Sequence, residues 1–151
     1  VGRAVEFADV VTWVERFGPL ATLVTVTDEE VPHVGTVTVG VATDQLTMRV
    51  GARTRENVLA RAALTLAWLH PERDYQLIID GSGSVDGDPG SDGLYECAVT
   101  VERGILHRLA GRTDAGPSCR PLSEPATDQG GEAPCFANLL DERGRVSGDA
   151  S

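Results

Sequence analysis

The sequence predicts a mainly-β domain: a six-stranded antiparallel split β-barrel of Greek-key order, with a short N-terminal helix and one helix after strand three. Three observations carry this. Most apolar residues between positions 20 and 85 recur with period two. Only two segments, 4–17 and 53–62, carry a helical stripe. The core has to be built from Val, Leu, Ala and Ile, because aromatic residues make up only 5% of the chain. Strands that outweigh their helices in this way close on themselves.

Residues 4–17 bring Val5, Ala8, Val11, Trp13 and Val14, then Phe17, roughly along one helical stripe, and Gly18-Pro19 ends that helix. LATLVTVT (20–27) and VGTVTVGVA (34–42) alternate as strands on either side of Asp28-Glu29-Glu30 and pair as a hairpin. QLTMRV (45–50) is a third strand, with Leu46, Met48 and Val50 on one face. Gly51 breaks the alternation, and RTRENVLARA (53–62) opens a helix with Thr54 as its N-cap. LTLAWLH (64–70) is nearly continuous in apolar residues and is expected to be buried on both faces. YQLIIDGSGSV (75–85) carries a bulge near Gly81 and Gly83, and ECAVTVERGILHRL (96–109) is one strand or two, interrupted near Arg103-Gly104. The domain is drawn at 1–109. Residues 110–151, rich in Gly, Pro and Ser, form a C-terminal tail, or an arm that packs through Phe136, Leu139 and Leu140.

The 151 residues suit one domain. A net charge of −10 repels phosphate backbones and anionic lipid, so neither nucleic acid nor membrane is an expected partner. All thirteen basic residues are Arg, which leaves guanidinium, hydroxyl and backbone N–H to bind any anion. No apolar run approaches a membrane span, and no signal-peptide pattern is present. The chain opens on Val1, so a trimmed N-terminus is expected. Cys97, Cys119 and Cys135 form no disulfide framework and no zinc spacing. They point to a reducing cytoplasm, with Cys97 buried and Cys119 an exposed thiol. His33, His70 and His107 lie far apart, and no metal site is expected. His70 is expected to cap a turn. Trp13 and Trp68 read as core, and the acidic stretch 86–92 as a solvated loop.

The stretch Met48–Asn57 (MRVGARTREN) carries the chemistry. A strand ends, a glycine turns the chain, and a helix opens with its N–H groups unsatisfied and partly positive. Arg53 and Arg55 add full charges and Thr54 a hydroxyl, a set that suits a phosphate. The same residues also suit an ordinary solvated helix start.

The series GPLATLVTVTDEEVPHVGTV, LTMRVGARTRENVLARAALTLAW and YQLIIDGSGSV resembles the pyridoxamine-5′-phosphate-oxidase-like flavin-binding split barrels, over about residues 4–109. The resemblance implies a homodimer with FMN between the subunits, or the deazaflavin coenzyme in its place, and a flavin-dependent oxidoreductase acting on a small molecule. Carried over by position, Thr36 and Val37, with the residues up to Val39, line the ring. Met48, Arg49, Val50 and Gly51 offer backbone, while Arg53, Thr54 and Asn57 meet the phosphate. Gln76 comes from the other subunit. His107-Arg108 resembles a pair found in some small relatives; it also suits an outward-facing pair on an edge strand. Ala52 and Thr54 stand where the family often has Ser and Lys. The arginine pairs that grip substrate in pyridoxamine phosphate oxidases have no counterpart at the C-terminal end, so that substrate is not expected. The alternatives are a non-catalytic flavin, deazaflavin or haem binder, and a structural relative without cofactor.

Overall fold

The structure, a computed structural model, describes residues 5–70, 74–111 and 116–123. Its elements are α1 (Phe7–Phe17), β1 (Leu20–Val26), β2 (Pro32–Thr38), β3 (Gly40–Val41), β4 (Leu46–Val50), α2 (Ala52–Ala60), β5 (Ala63–Trp68), β6 (Tyr75–Val85), β7 (Tyr95–Arg108) and β8 (Cys119–Pro121). One antiparallel sheet runs β2-β1-β5-β6-β7-β4-β3, and β8 pairs with β7. The predicted second strand is thus divided in two, and the division closes the barrel. Its first part pairs with β1 from Leu20↔Thr38 to Val26↔Pro32, and its last part pairs with β4 at the opposite end of the sheet. Only Val39 separates the two parts, and its N–H is donated to Pro19 O at 2.7 Å. A sheet whose two ends are consecutive residues of one chain has to curl on itself.

The alternation seen in the sequence fills the interior. Leu23, Leu66, Leu77, Ile79 and Leu106 point inward from neighbouring strands, and Trp68 joins them fully buried. The second half of β5 is buried on both faces, as the sequence predicts: Leu64, Leu66 and Trp68 enter the core and Ala67 on the outer face is buried too, whereas Thr65 beside it is half-buried. α1 covers one end of the barrel through Val10, Trp13, Val14 and Phe17. Its last carbonyls are met by other elements. Trp68 Nε1 donates to Gly18 O at 2.8 Å, and His70 Nε2 lies 2.8 Å from Phe17 O. His70 therefore caps a helix end.

β6 and β7 pair along their whole length, with a register shift between Asp80 and Gly81 where the sequence predicts a bulge. A methyl group on Gly81 would lie 2.4 Å from Thr100 O. β7 remains one strand through Gly104, which has a different purpose: a methyl group there would meet the Leu122 side chain at 2.5 Å. Leu122 is buried in the core, and its carbonyl accepts the Trp13 Nε1 hydrogen bond at 2.8 Å. Packing against the core therefore reaches Leu122. Arg120, also buried, stacks over the Tyr75 ring, and the Tyr75 hydroxyl donates to Pro117 O. Cys119 is fully buried and disulfide-bonded, contrary to the exposed thiol expected from sequence. It sits in a strand that the Gly/Pro-rich composition conceals. Phe136, Leu139, Leu140 and Cys135 lie outside the described residues. Cys97 is buried as expected, and loss of solvation pushes its thiol up to about 11.

Candidate functional site

β4 and α2 meet in a tight corner. Gly51 is the N-cap, extended at φ −81° and ψ 178°, and its carbonyl accepts the Arg55 N–H at 3.0 Å. Thr54 is therefore in the first turn of α2 and is not its cap. No side chain caps this end, and no acidic residue lies in its first turn. The amide groups keep their partial positive charge. A Cβ on Gly51 would meet nothing within 4 Å, and its φ is open to any residue. Neither packing nor strain demands glycine here, and its absence of side chain leaves the backbone approachable.

The five polar side chains at and beside the corner are used differently. Arg49 is held outside it. Its guanidinium pairs with Asp92 at 2.6 Å and with Glu96 at 3.2 Å, and it also reaches Leu94 O. Asp92 lies below its ordinary range, chiefly because it accepts the Leu94 N–H, with Arg49 contributing. The acidic stretch 86–92 is thus pinned at Asp92, not merely solvated. A side chain on Gly90 would strike the Arg49 guanidinium at 2.5 Å, so the loop folds closely around this clamp. Asn57 is 4% exposed, and its amide donates to the buried Thr25 Oγ1 at 3.1 Å. That bond, worth about 1 kcal/mol net, ties α2 to β1. Arg53 is exposed and Thr54 half-buried. Arg55 lies over the Tyr95 ring, its Cζ 4.8 Å from the centroid, and Tyr95 is the β7 partner of Val50 at the corner. The Arg55 Nε is shut off from solvent and has no hydrogen-bond partner among the described residues. Leaving such a donor unsatisfied costs about 1–3 kcal/mol.

The remaining predicted residues fall in two places. Val37, Met48 and Val50 are buried, so only their backbone could face a ligand, whereas Thr36 is exposed on the outer surface. Gln76, His107 and Arg108 lie at the other end of β7 from the corner. Tyr95 pairs with Val50, but Gln76 pairs with His107 and Tyr75 with Arg108. Twelve residues along a strand span about 40 Å, so one chain does not bring the two groups together. Gln76 and His107 face each other across β6 and β7, flanked by inward-pointing Tyr75, Leu77 and Leu106. His107 Nδ1 lies 3.0 Å from Arg108 O. A carbonyl only accepts, so Nδ1 carries the proton and Nε2 keeps its lone pair in the neutral ring. Arg108 donates to Gly116 O.

The outer surface of the sheet was not anticipated. Thr36, Thr22, Ala67, Ile78, Ile105 and Pro121 form one continuous cross-strand row. It is about 24 Å wide at ordinary strand spacing and carries no charge. Leu20 and Val34 lie beside it, each 61% exposed. The alternation that marks the inner face also defines this row, but strand pairing is needed to see that it is continuous. Among the described residues no three His, Cys, Asp or Glu side chains are placed to hold a metal ion, and no helix is long and apolar enough to cross a membrane.

No family model matches the sequence. Uncharacterised proteins of Mycobacterium bovis and Mycobacterium tuberculosis are 38% identical to it over 64 residues, 40% of this chain and 44% of theirs. The match therefore covers less than half the length of these curated relatives. Solved structures resemble the fold over a longer range. A pyridoxamine 5′-phosphate oxidase-related, FMN-binding protein of Nostoc punctiforme has a TM-score of 0.56 at 9% identity, over 69% of this chain and 84% of the other. A Clostridium acetobutylicum protein of the pyridoxinephosphate oxidase family, related to a general stress protein, has a TM-score of 0.55 at 12% identity, over 68% and 88%. The haem storage protein of Vibrio cholerae has a TM-score of 0.54 at 10% identity, over 68% and 95%.

Proposed function

We propose, for a chain whose fold is that of the pyridoxamine-5′-phosphate-oxidase-like split barrels, that it is a homodimeric binder of a phosphate-bearing flavin-class cofactor, FMN or its deazaflavin counterpart. The observation that carries this reading is the uncapped start of α2, with no acid in its first turn and an approachable Gly51. Backbone N–H groups, Arg53 and Thr54 meet the phosphate there. Asn57 supports them by fixing α2 against Thr25. Thr36 lies on the ring side, together with the backbone of Val37 and of Met48 to Gly51.

Two copies are needed because Gln76, His107 and Arg108 are too far from the corner within one chain. The uncharged outer row is the surface on which a second copy docks, and it would bring the partner's strand ends to the cofactor. Oxidation and reduction would reside in the cofactor ring, with the protein supplying binding and access. NAD(P)H-dependent turnover of the loaded dimer on a small molecule distinguishes an oxidoreductase from a carrier.

Titration of FMN by fluorescence quenching tests the site. Arg53→Ala combined with Thr54→Ala weakens FMN by roughly 100-fold, the loss of one charged and one neutral hydrogen-bonding group, and leaves riboflavin affinity unchanged. Equal FMN affinity in the double variant would remove the α2 corner as the phosphate site.

The His107 tautomer supports a second reading, a haem binder. With Nδ1–H held by a carbonyl, Nε2 is the ring nitrogen that would remain to hold a haem iron. Under that reading haem gives a sharp Soret band that His107→Ala abolishes. An unchanged band in the variant excludes His107 as the ligand.

A further inference from the structure

We infer that Arg55, packed over the Tyr95 ring, is the specificity-determining residue of this corner, selecting phosphorylated over dephosphorylated ligand; the inference rests on the phosphate-site reading above. Three features set Arg55 apart. It is the fourth residue of α2, and helical side chains lean back toward the N-terminus, over the turn where the free N–H groups lie. Its guanidinium already has a partner that limits its freedom, the Tyr95 ring, with Cζ 4.8 Å from the centroid. Its buried Nε has no partner among the described residues, so one donor waits for an acceptor.

The neighbouring cations do not compete for this task. Arg49 is neutralised by Asp92 and Glu96 and holds the 86–94 loop. Arg53 is exposed and unanchored, so it adds charge without a fixed direction. A phosphate entering at Gly51 would meet one guanidinium already packed on a ring, Arg55, and one exposed to solvent, Arg53. Tyr95 is then a positioning residue that acts through Arg55. β4 sets its place, since Val50 and Tyr95 are register partners.

The test compares FMN with riboflavin, which differ only by the phosphate, on the full-length protein. Arg55→Met keeps the apolar stem over Tyr95 and removes the guanidinium. The expected result is a loss of roughly 10- to 100-fold in FMN affinity, with riboflavin affinity unchanged, so that the preference between the two largely disappears. Tyr95→Phe retains the ring and the preference; Tyr95→Leu reduces the preference without abolishing riboflavin binding. Riboflavin affinity serves as the check on folding in each variant. A parent that prefers FMN and an Arg55→Met variant with the same preference would overturn the role of Arg55 alone. A parent that binds FMN no better than riboflavin would overturn the phosphate-site reading, and this inference with it.

Discussion

A Trp68→Ala protein unfolds at a much lower denaturant concentration than the parent, with a loss of about 3–5 kcal/mol. Trp68 is the largest of the fully buried side chains and stands in β5, between β1 and β6. Two costs combine. The alanine leaves a cavity that neighbours such as Leu66 and Leu77 close only in part. The Gly18 carbonyl also loses the indole N–H that holds the α1–β1 corner. Trp68→Phe separates the two, because it keeps most of the volume and loses chiefly the hydrogen bond, at about 1–2 kcal/mol. Guanidinium unfolding curves with an unchanged slope measure both. A loss below about 1 kcal/mol for the alanine variant would mean that Trp68 is not the centre of the core.

For the homodimer proposed above, Val34→Asp is expected to give a monomer and to remove cofactor binding with it, while the monomer keeps its thermal stability. Val34 is exposed on the outer face, opposite Val24 and next to the uncharged row. A carboxylate there costs the isolated chain little. Across a two-fold interface the same change places two charges against apolar surface, and desolvating them costs several kcal/mol. Linkage distinguishes this variant from those at the α2 corner. Arg53→Ala with Thr54→Ala reduces affinity in an intact dimer, whereas Val34→Asp acts only by way of assembly. Sedimentation velocity and FMN titration on the same sample measure the two effects. A dimeric Val34→Asp protein, or a monomer that binds FMN as tightly as the parent, would refute the link.

The elements that repeat a period were legible in the sequence. The β1–β2 hairpin, the burial of Leu46, Met48 and Val50, and the glycine corner before α2 all follow from local pattern. What escaped depends on contacts distant in the chain. β8 has three residues and no periodicity to display, and its place is set by Gly104 and Trp13, which accommodate Leu122. A glycine inside an otherwise good strand was the available signal, since it marks close approach of another segment. Thr54 reads as an N-cap by residue type, yet Gly51 takes that position because β4 runs extended into the helix. The family resemblance puts Asn57 at the phosphate, and its buried hydrogen bond to Thr25, far away in sequence on β1, is not legible there. The same limit applies to the site. The sequence separates Arg49 on the strand from Arg53 and Arg55 on the helix, but only tertiary structure gives one to Asp92, one to solvent and one to Tyr95.

Native mass spectrometry after incubation with FMN tests the central claim most directly, because it reports assembly and cofactor together. The account predicts a homodimer carrying two FMN molecules. A monomer, or a dimer that retains neither FMN nor the deazaflavin coenzyme supplied in a parallel incubation, would contradict it.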